Sequence, residues 1–173
     1  MSEEKMEQNQ REKPMSLLQK SLVTGFIGGL LWSLLGSLAY YFNFSEVSHA
    51  SFTLRSFWQN QWTNGFSGEI FSMLIIGVLS ILAAYIYYLV LKKREGMLPG
   101  ILYGVAIWFL FMYFLNPMFS AVPILSEMTM DTIITTVCLH VLYGTFIGYS
   151  ISFEHKSLED MKKEREEKSS QNA

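Results

Sequence analysis

Four uncharged, apolar runs limit what this chain can fold into more than any other feature. They cover residues 21–42, 70–91, 97–115 and 132–153, and none of them contains Asp, Glu, Lys or Arg. Each run is close to the roughly 20 residues that a helix needs to cross about 30 Å of hydrocarbon. Half of the 173 residues are hydrophobic, and the charges lie between the runs. The pattern predicts an all-α membrane protein with four transmembrane helices.

The basic residues divide the chain and give it an orientation. Residues 1–20 form a polar tail, residues 21–153 the membrane domain and residues 154–173 a charged tail. Twelve of the 13 Lys and Arg residues lie before the first run, between the second and third, or after the fourth, and Arg55 alone lies on the other side. Because cytoplasmic segments carry an excess of Lys and Arg, this bias predicts that both termini are cytoplasmic.

The segments outside the four runs predict further short helices. The first external loop, residues 43–69, places four apolar side chains at helical spacing: Leu54, Phe57, Trp58 and Trp62. This spacing predicts a short amphipathic helix that lies in the outer membrane interface and ends at Asn64. In the charged tail, Ser157 and Asp160 resemble a capping box that could open a short helix, although a tail that only solubilises this end is the favoured interpretation.

Small residues recur at four-residue intervals within the runs. Three runs contain GxxxG pairs, which are Gly25 and Gly29, Gly100 and Gly104, and Gly144 and Gly148. Such stripes let helix backbones approach closely in a bilayer, where no hydrophobic effect drives helices together. They predict tight packing, within one chain by default, with packing against a second copy or another membrane protein as the alternative.

His140 is the candidate functional residue because it is the one histidine inside the four runs, which also lack carboxylates. Counting a rise of about 1.5 Å per residue places it at the depth of Ser33, Ser80 and Trp108, so these four residues form a candidate polar cluster. Ionisable residues within membranes commonly mark functional sites. The favoured alternative is structural: neutral His140 donates a hydrogen bond to Thr136, one turn back, or to a neighbouring hydroxyl, and no carboxylate completes a proton relay.

Several function classes lack support in the sequence. A net charge of -2 with scattered basic residues provides no nucleic-acid footprint. His49, in the external loop, and His155, at the cytoplasmic end, are predicted to lie too far from His140 along the membrane normal to complete a metal site. The stretch GYSIS lacks the GxSxG nucleophile elbow of serine hydrolases. The sequence therefore predicts no metal, no cofactor and no catalytic residue, with the lipid bilayer as the main surroundings.

Three stretches stand out when the runs are read together: GFIGGLLWS from Gly25, PGILYGVAIW from Pro99 and HVLYGTFIGYSISFE from His140. In these motifs the chain resembles the YqhR-type conserved membrane proteins of Bacillus and related Gram-positive bacteria. The resemblance spans all four predicted helices and implies a multi-pass protein of a bacterial plasma membrane, but it carries over no catalytic residue. The glycine stripes favour a non-catalytic scaffold or interaction protein that packs with itself or with a partner. A small transporter or channel-like subunit that uses His140 is the alternative.

Overall fold

The computed structural model describes residues 15–94 and 96–171, and all regular structure in those ranges is helical. Four helices are long and apolar enough to cross a membrane: Leu17–Tyr41, Phe66–Leu91, Leu98–Met118 and Met130–Lys163. They confirm the predicted all-α fold with four transmembrane helices. Most of the predicted N-terminal tail, with Lys5, Arg11 and Lys13, lies outside the described residues.

Seven α-helices follow one another along the described ranges. The long ones are α1 (Leu17–Tyr41), α5 (Phe66–Leu91), α6 (Leu98–Phe109) and α7 (Met130–Gln171), and the single-turn ones are α2 (His49–Phe52), α3 (Leu54–Phe57) and α4 (Gln61–Asn64). The third span continues beyond α6 as a π-helix, Leu110–Leu115, and a 3-10 turn, Asn116–Met118. Pro117 has no N–H to continue the α-helical ladder, which is consistent with a change of helix type there.

Two spans begin earlier than their apolar runs. α1 begins at Leu17 because Ser16 and Gln19 form a capping box, in which the Ser16 hydroxyl accepts from the Gln19 N–H at 3.2 Å. α5 begins at Phe66 rather than residue 70, so Glu69 lies in its first turn. A carboxylate is favourable near a helix N-terminus, which the charge-free criterion for a span does not take into account.

The first long loop contains single-turn helices instead of one interfacial helix. The hydroxyl of Ser51 accepts from the Ser48 N–H at 3.3 Å, and that of Thr63 accepts from the Asn60 N–H at 3.0 Å. Short polar side chains compete in this way with a continuous helical ladder. The expected end at Asn64 is found, but the helix is divided because its polar residues begin new turns.

The fourth span continues well beyond residue 153. α7 is continuous to Gln171, so the described part of the charged tail is helical and Ser157 lies inside the helix. The predicted capping box at Ser157 is therefore wrong. Residues 154–171 contain no Gly or Pro that would stop a helix, and Lys and Glu have favourable helix propensities.

The four spans form a bundle that is closed on three sides. α1 packs along both α5 and α7, and α6 packs along α7. In contrast, α5 and α6 have almost no close approach between their Cα atoms. We call the end of the bundle that carries residues 42–65 and 119–129 the loop end, and the opposite end the terminal end.

Glycines of α1 lie against small residues of α5. A Cβ atom at Gly25 would come within 2.5 Å of the Ala84 Cβ, and one at Gly29 would meet the Ser80 Cβ. This contact is also polar, because the Ser80 hydroxyl donates to the Gly25 carbonyl at 2.6 Å. The two predicted packing glycines of this helix therefore lie at a contact within the chain.

Glycines of α6 and α7 lie against each other's backbone. A Cβ atom at Gly100 would lie 2.7 Å from the Gly144 carbonyl oxygen, and one at Gly148 would lie 2.7 Å from the Gly100 Cα. A Cβ atom at Gly104 would meet the carbonyl oxygen of His140. Because backbone cannot rotate away as a flexible side chain can, this interface leaves no room for larger residues at these positions.

Candidate functional site

A cavity of about 140 Å³ lies in the half of the bundle nearer the loop end. Its walls come from α1, α2, α5, α7 and the third span, and most of its lining surface is apolar. The lining residues with polar atoms in their side chains are Trp32, Ser33, Ser45, Ser48, His49, Ser80, Thr136, His140 and Tyr143. Of the candidate cluster predicted from sequence, Ser33, Ser80 and His140 line this cavity and Trp108 does not.

His140 lines this cavity from α7. Its Nδ1 lies 2.8 Å from the carbonyl oxygen of Thr136, one turn earlier. A carbonyl oxygen can only accept, so Nδ1 carries the hydrogen and, in the neutral ring, Nε2 carries the lone pair. This bond to Thr136 is one of the two that the structural alternative for His140 allows. It leaves Nε2 as the ring nitrogen available to a molecule in the cavity.

The other members of the predicted cluster do not bond to His140. Ser33 lines the cavity, but its hydroxyl donates to the Leu30 carbonyl of its own helix at 3.0 Å. Ser80 also lines the cavity, and its hydroxyl lies 2.5 Å from that of Tyr143. Ser33 and Ser80 thus line the same cavity as His140, but a predicted depth does not determine which polar atoms meet.

Trp108 lies behind the cavity wall. Its indole Nε1 donates to the Thr136 hydroxyl at 3.0 Å, and Thr136 in turn donates to the Thr132 carbonyl at 2.7 Å. The tryptophan belongs to a buried apolar cluster with Met112 and Val122. Because Thr136 also holds His140 through its carbonyl, Trp108 fixes the turn of α7 that orients the histidine.

His49 is the residue that sequence reasoning misplaced. It was expected in the external loop, far from His140, but α2 folds inward and His49 lines the same cavity. The imidazole rests on α1 at Gly36, where a Cβ atom would meet the ring. Burial, with a smaller contribution from neighbouring His140, lowers the pKa of His49 to about 4. The distance argument is therefore wrong for His49, because a loop between membrane helices can fold into the bundle.

The two histidines do not complete a metal site with other strong ligands. In the parts of the chain that the structure describes, no three His, Cys, Asp or Glu side chains come together as metal ligands would. His155 lies on the tail part of α7, where its Nε2 is 3.7 Å from Glu159. What His49 and His140 share is a cavity wall.

Two buried nitrogen atoms at the cavity have no hydrogen-bond partner among the residues that the structure describes. They are the Trp32 Nε1 and the His49 Nδ1. Buried polar groups are hydrogen-bonded in the great majority of native structures, and leaving one unpaired costs about 1–3 kcal/mol. Because Trp32 packs on Phe146, with ring centroids 5.1 Å apart, its indole is held in this unpaired position by the bundle.

An ion pair holds the first loop to the spans beside the cavity. Arg55 Nη2 lies 2.7 Å from Glu69 Oε1, and both side chains are 13% exposed. The Ser48 hydroxyl donates to the same carboxylate oxygen at 2.6 Å, and Ser37 on α1 donates to the other at 3.2 Å. Glu69 thus joins α1, α5 and the loop segment that carries His49. The positions of Arg55 and Glu69 in the sequence gave no sign of this pairing.

The second loop packs on the first and covers the loop end. The Ser120 hydroxyl donates to the Ser56 carbonyl at 2.9 Å, and the Ala121 N–H donates to the Ser56 hydroxyl at 3.3 Å. Glu46 accepts from the Thr129 N–H at 3.1 Å, just before α7 begins. A carboxylate at this position favours the helix N-terminus. Contacts between the two loops therefore fix the wall that α2 contributes to the cavity.

Comparison with known proteins matches the chain over almost its whole length. A family model described as "Conserved membrane protein YqhR" matches residues 1–168. A protein of Bacillus subtilis (strain 168) described as "Uncharacterized protein YqhR" is 44% identical over 162 residues, which cover 93% of this chain and 90% of that relative. No solved structure matches. The matched region includes all four spans and every residue that lines the cavity.

Proposed function

The chain belongs to the YqhR family of conserved membrane proteins, and we propose that this multi-pass member is a non-catalytic protein that binds a small, mostly apolar molecule in its cavity. The observation that carries the proposal is the cavity itself, whose surface is mostly apolar and in which a ring nitrogen of His140 is left available. Ligand sites are typically concave, mostly apolar and equipped with a few polar groups that orient the ligand.

The charge of the cavity wall supports binding over catalysis. No Asp, Glu, Lys or Arg is among the residues that line the described cavity. General acid–base and nucleophilic catalysis need a second group to activate or orient the reacting one. His140 is oriented by a backbone carbonyl, which holds the ring but supplies no charge. The arrangement is suited to hold a molecule, and it lacks the paired groups that would transform one.

The glycines pack against helices of the same chain, which favours a binding role over a scaffold role. A scaffold assembled through glycine stripes needs a stripe that faces outward, whereas Gly25 and Gly29 contact α5, and Gly100 and Gly144 contact each other. Transport is also a weaker proposal. Gly100 and Gly144 bring the backbones of α6 and α7 together on the terminal side of His140, where a carrier would need a second opening.

Analysis of co-purified small molecules tests the binding proposal. The full-length protein is purified in nanodiscs, extracted and compared by mass spectrometry with Leu139→Trp, which fills the cavity from α7. The matched control is Leu142→Trp, because Leu142 lies on the same helix and is 53% exposed at the outer face. We expect one small molecule to be enriched with the wild type and the control and to be lost with Leu139→Trp. Equal content in all three, or no enrichment in the wild type, would contradict the proposal.

A further inference from the structure

Residues from both helices at the open side of the bundle line the cavity. On that side Ile76, Leu79 and Ala83 of α5 line it opposite Ile107 and Phe111 of the third span. Leu79 is also 45% exposed on the outer face, so at this point the wall is one side chain thick. Nearer the terminal end, α5 and α6 are joined by side chains: Tyr103 donates to the Ala83 carbonyl at 2.6 Å.

At the loop end the cavity is lined by the loop segment that carries Val47 and Ser48, and both of these residues are buried. α2 covers that side, and the ion pair between Arg55 and Glu69 holds the loop that carries it. The second loop packs over the first through Ser56 and Ser120. A molecule that reaches the cavity without unfolding this cover would therefore come from the acyl region of the membrane, between α5 and the third span.

The size and lining of the cavity specify the part of the ligand that it holds. A protein cavity of about 150 Å³ holds one benzene molecule, and this one is about 140 Å³. Aromatic rings line it from several directions, among them Trp32, Phe52, Phe111 and Tyr143. Rings pack favourably edge to face or offset against such walls. A single six-membered aromatic ring therefore fits both the volume and the lining.

The free ring nitrogen of His140 determines which polar group the aromatic ring of the ligand should carry. Nδ1 is bonded to Thr136, and among the described residues no group forms a hydrogen bond with Nε2. In the neutral imidazole Nε2 accepts, so it favours a ligand that donates. A charged ligand would be poorly matched, because no ionised side chain lines the cavity to balance it.

Resting on the proposed binding function, we propose that the ligand class is a membrane-dissolved phenol. Its ring occupies the cavity, its hydroxyl donates to His140 Nε2, and its apolar tail passes between α5 and the third span into the lipid. The cavity volume, the acceptor nitrogen of His140 and the open side of the bundle together support a phenol.

Binding of two matched compounds tests the hydroxyl assignment. Full-length protein in nanodiscs is titrated with 4-pentylphenol and with pentylbenzene, and each affinity is corrected for partition into protein-free nanodiscs. One hydrogen bond to a buried acceptor is worth up to about tenfold in affinity, so we expect 4-pentylphenol to bind about tenfold more tightly. In His140→Leu the two compounds should bind equally, and retained pentylbenzene binding shows that the variant is folded.

A second pair of variants tests the lateral path. Ala83→Phe narrows the opening beside Ile107, whereas Ala106→Phe adds the same ring at an exposed position of α6. We expect Ala83→Phe to weaken 4-pentylphenol binding at least about tenfold and Ala106→Phe to change it less than about twofold. Equal binding of 4-pentylphenol by the two variants would overturn the proposed entry between α5 and the third span.

The outcomes separate this inference from the function on which it rests. Equal affinity of the wild type for both compounds would overturn the phenol assignment and leave the cavity as a binding site. Failure of both compounds to bind the wild type would overturn the phenol class. If Leu139→Trp also shows no change in co-purified molecules, the binding function itself fails.

Discussion

His49 lies in a notch that Gly36 leaves open on α1. A Cβ atom at Gly36 would meet the imidazole ring, so Gly36→Ala should push His49 out of the cavity wall. Overpacking of this kind costs about 1–3 kcal/mol. We expect the free energy of unfolding in nanodiscs to fall by that amount and His49 to become reactive toward histidine-modifying reagents.

A substitution nearby on the same helix provides the control for Gly36→Ala. Leu38 is 43% exposed on the outer face of α1. Leu38→Ala should change neither the reactivity of His49 nor the stability by a comparable amount. If His49 is equally protected in Gly36→Ala, the ring does not depend on the notch.

The buried imidazole of His49 should make stability depend on pH. Its pKa is about 4 in the folded protein and 6.5 when exposed. The folded state therefore binds fewer protons between these values, and stability falls as the pH is lowered from 6.5 towards 4. The full effect is about 3 kcal/mol, and it is absent above pH 6.5, where both states are neutral. About two-thirds of the effect is present at pH 5, so the stability at pH 7 and at pH 5 should differ by about 2 kcal/mol in thermal unfolding, and His49→Gln should show a smaller pH dependence than the wild type.

The sequence allowed one of the two cavity histidines to be predicted and not the other. His140 could be located because a rigid helix of known rise fixes its depth relative to Ser33 and Ser80. His49 could not, because its position depends on how the loop between two spans folds, and loop conformation follows from many weak contacts. The one local signal was Gly36, whose missing side chain leaves room for the ring.

The ion pair between Arg55 and Glu69 joins the first loop to α5. Removing one partner of a buried ion pair leaves the other unpaired, which costs about 3–5 kcal/mol. Glu69→Gln should therefore destabilise the protein by about 3 kcal/mol, since Arg55 and Ser48 lose their shared acceptor charge. Equilibrium unfolding in nanodiscs measures the change.

The chain contains a second ion pair that serves as the matched control. Lys20 Nζ lies 2.6 Å from Glu154 Oε2, but both side chains are 34% exposed. Exposed pairs contribute at most about 1 kcal/mol, so Glu154→Gln should have a small effect. A similar loss of unfolding free energy in Glu69→Gln and Glu154→Gln would show that burial does not make the first ion pair stronger than the second.

Helix existence was predictable from the sequence, whereas several of the helix ends were not. The apolar runs identify the four spans, since a bilayer requires about 20 apolar residues per helix. The continuation of α7 through residues 154–171 carries no such signal, because a charged helix in water and a charged coil have similar compositions. The π-helix at residues 110–115 likewise depends on how the span meets the second loop.

The whole molecule can be understood as two closely packed helix pairs with an opening between them. Small residues bring α1 and α5 together, and glycines bring α6 and α7 together. α1 also packs along α7, whereas α5 and α6 remain apart, so the bundle is closed on three sides. The stripes were visible in the sequence. The opening was not, because it results from the way the two pairs are arranged, and no single helix contains it.

Membrane orientation is the property of the whole molecule that the basic residues predict. Lys92, Lys93 and Arg94 follow α5 at the terminal end, whereas Arg55 lies at the loop end. Cytoplasmic segments retain Lys and Arg, so the terminal end should face the cytoplasm. With Cys138→Ser as the background, Gln59→Cys should react with a membrane-impermeant maleimide on intact cells, and Lys93→Cys should react only after permeabilisation. The reverse pattern would invert the orientation, and labelling of both positions on intact cells would contradict a membrane span between residues 59 and 93.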